Sequence, residues 1–81
     1  MTVKTIQLNS PLTIHGETIA ALTMRPPKVR DRLIVEKGSG GPAEKEARFI
    51  ANLCDVAPDT IEELELADYI KLQDAVNDFL S

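Results

Sequence analysis

Two adjacent prolines, Pro26 and Pro27, divide this 81-residue chain into parts with different sequence periodicities. Pro27 disfavours the helical conformation at the residue before it, and neither proline has a backbone N–H to donate, so a regular helix or central strand is not expected to cross this point. The residues before the pair are rich in β-branched side chains, whereas those after it repeat apolar positions every three or four residues. The prolines therefore predict strands before them and helices after them.

The part before the prolines is typical of a β-hairpin or small meander. Residues 3–8 predict one strand, and Asn9-Ser10-Pro11 predicts an interruption before a short extended segment at 12–14. His15-Gly16 suits a two-residue turn, because glycine tolerates positive φ. Residues 17–24 then predict the second strand. Two strands alone are marginal in water, so the hairpin is expected to pack against the helices.

The part after the prolines predicts three or four short helices. The first runs from Lys28 to Glu36 or Lys37, and its expected buried side consists of Val29, Leu33 and Ile34. Gly38-Ser39-Gly40-Gly41 ends it and forms a loop. The order of elements predicts an α+β fold, in which strands and helices are segregated along a single domain spanning residues 1–81.

The second helix is expected to begin near Pro42, whose missing N–H is not needed in a first turn. One apolar stripe marks it, formed by Ala47, Ile50, Ala51 and Cys54. Thr60 and Glu63 have the spacing of a capping box, and Asp59 is an alternative cap, so a short helical turn is expected there.

The last helix is expected from Leu66 or Ala67 to Phe79. Its apolar stripe comprises Tyr69, Leu72, Val76, Phe79 and Leu80. The opposite, solvated face is expected to hold Asp68, Lys71, Asp74 and Asp78. The stripe suits either the domain's own core or a partner surface, and a division is expected, with Leu72 and Val76 inside and Phe79 and Leu80 nearer the surface.

The net charge of −4 is unevenly distributed. Residues 1–54 carry eight Lys or Arg against five Asp or Glu, whereas residues 55–81 carry one against eight. Such asymmetry indicates charged interaction surfaces rather than a particular fold. The local basic cluster is Arg25, Lys28, Arg30 and Arg32. It leaves open a small regulatory module that contacts nucleic acid, although the overall acidic balance makes nucleic acid an unexpected partner.

No constellation of residues in the sequence indicates an enzyme. A metal site needs converging ligands, and the single His15 and single Cys54 lie far apart in the sequence. Cys54 lies on an apolar stripe, which favours a buried hydrophobe over a nucleophile. We therefore expect no metal, no cofactor and no catalysis. The chain also has neither a long apolar run nor the apolar stretch of a signal peptide, so we expect a cytosolic protein without a membrane partner.

Four segments, in order and spacing, carry a resemblance to a known family. They are Thr-Ile-Gln-Leu at 5–8, Leu-Thr-Ile-His-Gly-Glu at 12–17, Ile-Ala-Ala-Leu-Thr-Met-Arg-Pro-Pro-Lys-Val-Arg-Asp at 19–31, and the closing segment at 61–80 with its Leu-Ala-Asp-Tyr and Phe-Leu. Over nearly its whole length, the chain resembles the small tail assembly chaperones of Mu-like and related contractile-tailed bacteriophages.

That resemblance implies a non-catalytic virion-assembly factor of a phage or prophage. It would bind the helical tape-measure protein and keep it soluble until the tail tube polymerises, with the tail-tube protein as a second partner to consider. It would act in the bacterial host cytoplasm and be absent from the mature virion. Independently of the resemblance, the small core of an 81-residue domain leads us to expect a homo-oligomer, a dimer or a larger ring. A minor structural component retained in the tail is the alternative within the same setting.

Overall fold

The computed structural model describes residues 2–81 and confirms the α+β fold. An antiparallel hairpin precedes four helices, with the elements β1 (Lys4–Ile14), β2 (Glu17–Met24), α1 (Val29–Glu36), α2 (Pro42–Cys54), α3 (Pro58–Glu62) and α4 (Leu66–Leu80). The change from strands to helices falls at the two prolines, because neither proline can extend either type of element through the connection.

The hairpin turns at His15 and Gly16, both of which have positive φ, 51° and 79°. This geometry matches the right-handed twist of the flanking strands. Strand pairing joins Ile6 to Leu22 near the open end and Thr13 to Thr18 near the turn. One face of the hairpin is buried in the core, through Ile6, Leu8, Leu22 and Met24.

The interruption predicted at residues 9–11 is wrong in one respect, because β1 continues through Pro11. The register is nevertheless irregular between Gln7 and Leu12. The backbone N–H groups of Asn9 and Ser10 donate to the Asp68 carboxylate at 2.8 and 3.1 Å. A side chain of α4 therefore takes the acceptor role that the irregular part of the ladder does not provide.

Asp68 does not lie on a solvated face, contrary to the expectation from the helical pattern. It is fully buried, and its two hydrogen bonds come from residues almost sixty positions earlier in the chain. Lys71, one turn further along α4, donates to the Gln7 carbonyl at 3.0 Å and to Asn9 Oδ1 at 2.7 Å. Together Asp68 and Lys71 fasten α4 to β1.

Helix α2 is central to the core. Its buried residues are Ile50, Ala51, Leu53 and Cys54, and Ala47 packs against them from a half-buried position. The predicted apolar stripe and the burial of Cys54 are thus confirmed. The helix ends at Asp55, whose left-handed conformation (φ 56°) closes the last turn.

The predicted buried side of α1 is wrong. Val29, Leu33 and Ile34 are 78%, 56% and 58% exposed, whereas Asp31 and Val35 are buried. Helix α1 packs mainly against α2 with the side that carries Val35 and Asp31, and Asp31 forms an ion pair with Arg25 there.

The capping box predicted at Thr60 is also wrong. Helix α3 begins two residues earlier, at Pro58, after Ala57 in extended conformation. Thr60 and Ile61 are buried in the middle of this short helix. Pro58 suits a first helical position, which explains the earlier start.

Candidate partner-binding groove

The five residues of the predicted α4 stripe have different environments. Leu72 is fully buried in the core. Tyr69, Val76 and Phe79 are half-buried and pack against that core, while Leu80 is 66% exposed. The stripe residues near the end of α4 therefore retain solvent-exposed side-chain surface.

An open groove lies where α1, α2 and α4 come together. Its volume is about 670 Å³. Val76 and Leu80 of α4 line one part, Phe49 and Ile50 of α2 another, and Val35 belongs to α1. Apolar side chains from three helices thus converge on one depression, and we refer to it as the three-helix groove.

Polar side chains at the groove are partly fixed by contacts within the protein. Lys45 Nζ lies 3.4 Å from a Glu36 carboxylate oxygen, which joins α2 to α1. Glu46 accepts hydrogen bonds from the Tyr69 hydroxyl at 2.6 Å and from the Gln73 amide at 2.8 Å, which joins α2 to α4. These contacts hold the three helices around the groove.

Tyr69 does not line the groove itself but binds Glu46, which does. Partial burial raises the pKa of its hydroxyl, and the neighbouring Glu46 carboxylate raises that pKa further. The phenol therefore remains a neutral hydrogen-bond donor across the ordinary pH range, so the contact between α4 and α2 persists.

The four residues of the predicted basic cluster do not form one free patch. Both terminal nitrogens of Arg25 bind the Asp31 carboxylate, at 2.8 and 2.7 Å. The same carboxylate accepts the Lys28 backbone N–H at 2.8 Å and so caps α1. Lys28, Arg30 and Arg32 remain exposed. Arg25 is therefore a structural residue of the β2–α1 connection.

The Arg25–Asp31 contact also changes the acidity of the carboxyl group. Hydrogen bonding from Arg25 is the main cause that lowers the pKa of Asp31 to about 2, and the Lys28 backbone N–H acts in the same direction. The Arg25 guanidinium in turn has a raised pKa, chiefly because of its hydrogen bonds to Asp31. Both groups are charged throughout the physiological range.

The remaining potentially reactive groups show no convergent arrangement. Burial raises the pKa of the Cys54 thiol to about 11, which opposes thiolate chemistry. Within residues 2–81, no cluster of three or more His, Cys, Asp or Glu side chains is placed to hold a metal ion. None of the helices in this described part combines the length and the apolar character needed to cross a membrane.

The chain is thus a small α+β domain with an open groove where three of its helices meet. The chain belongs to the family of phage tail assembly chaperone proteins (E, or 41 or 14), whose family model matches residues 5–81. The match spans the hairpin and all four helices. Comparisons with curated proteins and with solved structures gave no significant match.

The sequence pattern identified only part of the groove. Of the predicted site residues, Val76, Leu80 and Arg32 line it, but Val35 and Phe49 were not predicted. Phe49 could have been noticed in the sequence, because it is an apolar residue that lies beside the predicted α2 stripe without belonging to it. The relative placement of the helices could not be predicted from the sequence, because periodicity describes each helix separately.

Proposed function

We propose that this protein binds the tape-measure protein during phage tail assembly and keeps it soluble until the tail tube polymerises around it. The observation that supports this proposal is the three-helix groove, in which apolar side chains from three helices meet among polar and charged ones on an acidic domain. Family membership supplies the setting of tail assembly. The role is non-catalytic, and the tail-tube protein is a second partner to test.

The groove has the chemistry expected for a helical partner. An amphipathic helix places apolar residues at spacings of three and four into a hydrophobic depression, and this recurring mode of recognition needs no reactive group. Leu80 and Val76 provide accessible apolar surface on α4, and Phe49 provides a half-buried aromatic ring on α2. A long helical partner offers several such segments, so many weak contacts would add avidity.

We assign different roles to the five residues of the α4 stripe. Val76 and Leu80 contact the partner directly. Leu72, Tyr69 and Phe79 act indirectly, because they hold α4 against the core and against α2. This division means that binding and folding can be separated by mutation, with Leu80 as the best site for a binding variant.

The acidic surface suits a chaperone that stays soluble while its partner is exposed. Residues 55–81 carry eight acidic side chains against one lysine, and net charge limits non-specific aggregation.

We propose that the 81 residues act as one binding unit in the host cytoplasm and leave before the virion is complete. A retained tail component would instead be found in purified particles by mass spectrometry.

The proposal is tested by co-expressing the chain with the tape-measure protein encoded in the same genome. The soluble fraction of the tape-measure protein should rise with the wild-type chain and co-purify with it at low and moderate salt. Leu80→Asp should abolish the rescue while leaving the circular dichroism spectrum unchanged. Val3→Asp is the matched control, since Val3 is an exposed apolar residue that is not among the groove-lining residues.

Equal rescue by the wild-type and Leu80→Asp chains would reject the groove as the binding site. Absence of rescue by the folded wild-type chain would reject tape-measure binding itself. Rescue that disappears at moderate salt would indicate charge-dominated binding and contradict the apolar groove as its main source.

A further inference from the structure

The three-helix groove carries opposite charges on its two sides. Helix α2 contacts both α1 and α4, whereas α1 and α4 have few contacts with each other. The groove residues of α2 therefore form its floor, and those of α1 and α4 form its two sides. A helix lying in the groove would have α1 along one flank and α4 along the other.

The α1 side of the groove is basic. Arg32 lines the groove, is exposed, and belongs to none of the ion pairs formed within residues 2–81. Glu36 lines the same side, but its carboxylate lies 3.4 Å from Lys45 Nζ, so these two charges offset each other. The charge that remains for a partner on this side is the guanidinium of Arg32.

The α4 side of the groove is acidic. Asp74 lines it, is exposed, and has no ion-pair partner in the described part of the chain. Glu46 belongs to α2 but is held toward α4, because its carboxylate accepts the Tyr69 hydroxyl and the Gln73 amide. Both donors are neutral, so the negative charge of Glu46 adds to that of Asp74.

Two lysines near Asp74 are engaged elsewhere. Lys4 and Lys71 line a separate depression to which Asp74 also contributes. Lys4 Nζ lies 3.8 Å from an Asp78 carboxylate oxygen, and Lys71 Nζ donates to Asn9 Oδ1 at 2.7 Å. The carboxylate of Asp74 therefore remains available to a cation on a partner.

We propose that this charge difference sets the direction in which a helical segment of the partner lies in the groove, an inference that rests on the proposed function. The segment is an amphipathic helix whose apolar stripe has acidic residues along one flank and basic residues along the other. Turning such a helix end to end exchanges its flanks. Only one direction places the acidic flank beside Arg32 and the basic flank beside Asp74 and Glu46, and the other brings like charges together.

The apolar floor and the charged sides have different tasks in this binding mode. Phe49 and Ile50 on the floor, with Val76 and Leu80, accept an apolar stripe in either direction. The charges distinguish the two directions while adding little to the affinity, as expected for exposed ion pairs. Copies bound at segments with the same flank arrangement would therefore face the same way along one long partner.

The test uses the purified full-length chain and three synthetic helical peptides of equal composition, each with a leucine stripe. The first has glutamates on one flank and lysines on the other, the second has these flanks exchanged, and the third has both charges mixed on both flanks. Each peptide carries a nitroxide spin label at its N-terminus. Helix α4 lines the groove from Gln73 to Leu80, so the NMR signals of these two residues report on the two ends.

The first two peptides should bind in opposite directions. The label should broaden the Gln73 signals more strongly with one of them and the Leu80 signals more strongly with the other. The third peptide should bind about tenfold more weakly at low salt and broaden both signals, because each of its directions combines favourable and unfavourable charge pairs. Moderate salt should reduce this difference in affinity.

Arg32→Glu makes both sides of the groove acidic and should remove the directional preference, so the first two peptides should each broaden both signals. Arg30→Glu is the matched control, since Arg30 is an exposed arginine of the same helix that is not among the groove-lining residues. The control should keep the wild-type preference. Both substitutions change only exposed side chains, and circular dichroism checks that the fold is retained.

Two results would overturn the inference and leave the proposed function standing. They are binding of the first two peptides in the same direction, and a directional preference that Arg32→Glu leaves unchanged. Binding of none of the three peptides would overturn the inference together with the groove as a helix-binding site. The solubility rescue of the tape-measure protein, measured separately, then shows whether partner binding takes place elsewhere on the chain.

Discussion

The carboxylate of Asp68, at the start of α4, accepts a hydrogen bond at 2.8 Å from the backbone N–H of Asn9 in β1. A second bond, from the Ser10 N–H at 3.1 Å, completes the contact. The donors lie where the hairpin register is irregular. The last helix is therefore joined to the first strand by a charge-assisted contact rather than by apolar packing alone.

Replacing this carboxylate should destabilise the fold. Asp68→Asn places an amide, with donors of its own, against two backbone donors and removes the negative charge that strengthened both bonds. The midpoint of thermal unfolding should fall clearly below that of the wild type. Asp78→Asn is the control, because the Asp78 side chain is 68% exposed and should have little effect. Equal midpoints for both variants would contradict the assigned role.

Acid should unfold the protein through Asp31 and Asp68. Hydrogen bonding by Arg25 lowers the pKa of Asp31 from 3.8 to about 2, and hydrogen bonding by the Asn9 N–H lowers the pKa of Asp68. A lowered pKa means that these carboxylates bind fewer protons in the folded than in the unfolded state, so their stabilisation is present above about pH 4 and is lost as the pH falls toward 2.

Denaturant titrations between pH 6 and 2 measure this dependence. The wild-type free energy of unfolding should decline through that window, and Asp31→Asn should be less stable at pH 6 but decline less steeply. A variant curve parallel to the wild-type curve would show that Asp31 does not contribute to the acid sensitivity.

The Arg25–Asp31 pair should contribute to stability as well as to acid sensitivity. Asp31→Ala removes two charge-assisted hydrogen bonds from Arg25 and the cap on the Lys28 N–H. We expect a loss of about 1.5–3 kcal/mol in the free energy of unfolding, the range for hydrogen bonds to charged groups. Urea unfolding measures this loss, with Asp59→Ala, a substitution at an exposed acidic site, as the control. A loss of stability in Asp31→Ala no larger than in the control would contradict the prediction.

Alanine substitutions of two leucines in the α4 stripe should differ greatly in their effect on stability. Leu72→Ala opens a cavity in the core and should reduce the free energy of unfolding by about 2–5 kcal/mol. Leu80→Ala removes an exposed side chain and should stay within about 0.5 kcal/mol of the wild type. Urea unfolding of both variants tests this, and a large loss at Leu80 would place that residue in the core.

The Cys54 thiol should be inert in the folded protein. Its side chain is buried, and burial raises its pKa to about 11, so little thiolate is present near pH 8. Reaction with a thiol reagent should be slow in buffer and fast in denaturant, since reaction requires opening of the structure. Rapid labelling of the folded chain would contradict the observed burial.

Much of the secondary structure could be predicted because local rules govern it. Pro26 and Pro27 separate the strands from the helices, and His15-Gly16 provides the turn that the hairpin needs. The apolar spacing along α2 predicted which of its residues are buried, since that helix has core contacts on its apolar side. These features depend on neighbours within a few positions of one another in the chain.

The sequence alone also determined the uneven charge, the absence of a second cysteine and the periodicity of each helix. Tertiary structure decided which surface each helix meets. The α1 side with Val29, Leu33 and Ile34 remains in solvent while Val35 and the Arg25-bound Asp31 face inward, and Asp68 is buried against its donors in β1. The three-helix groove likewise depends on where α1 and α4 stand beside α2. Periodicity specifies which residues share a face, but contacts between distant parts of the chain determine what covers that face.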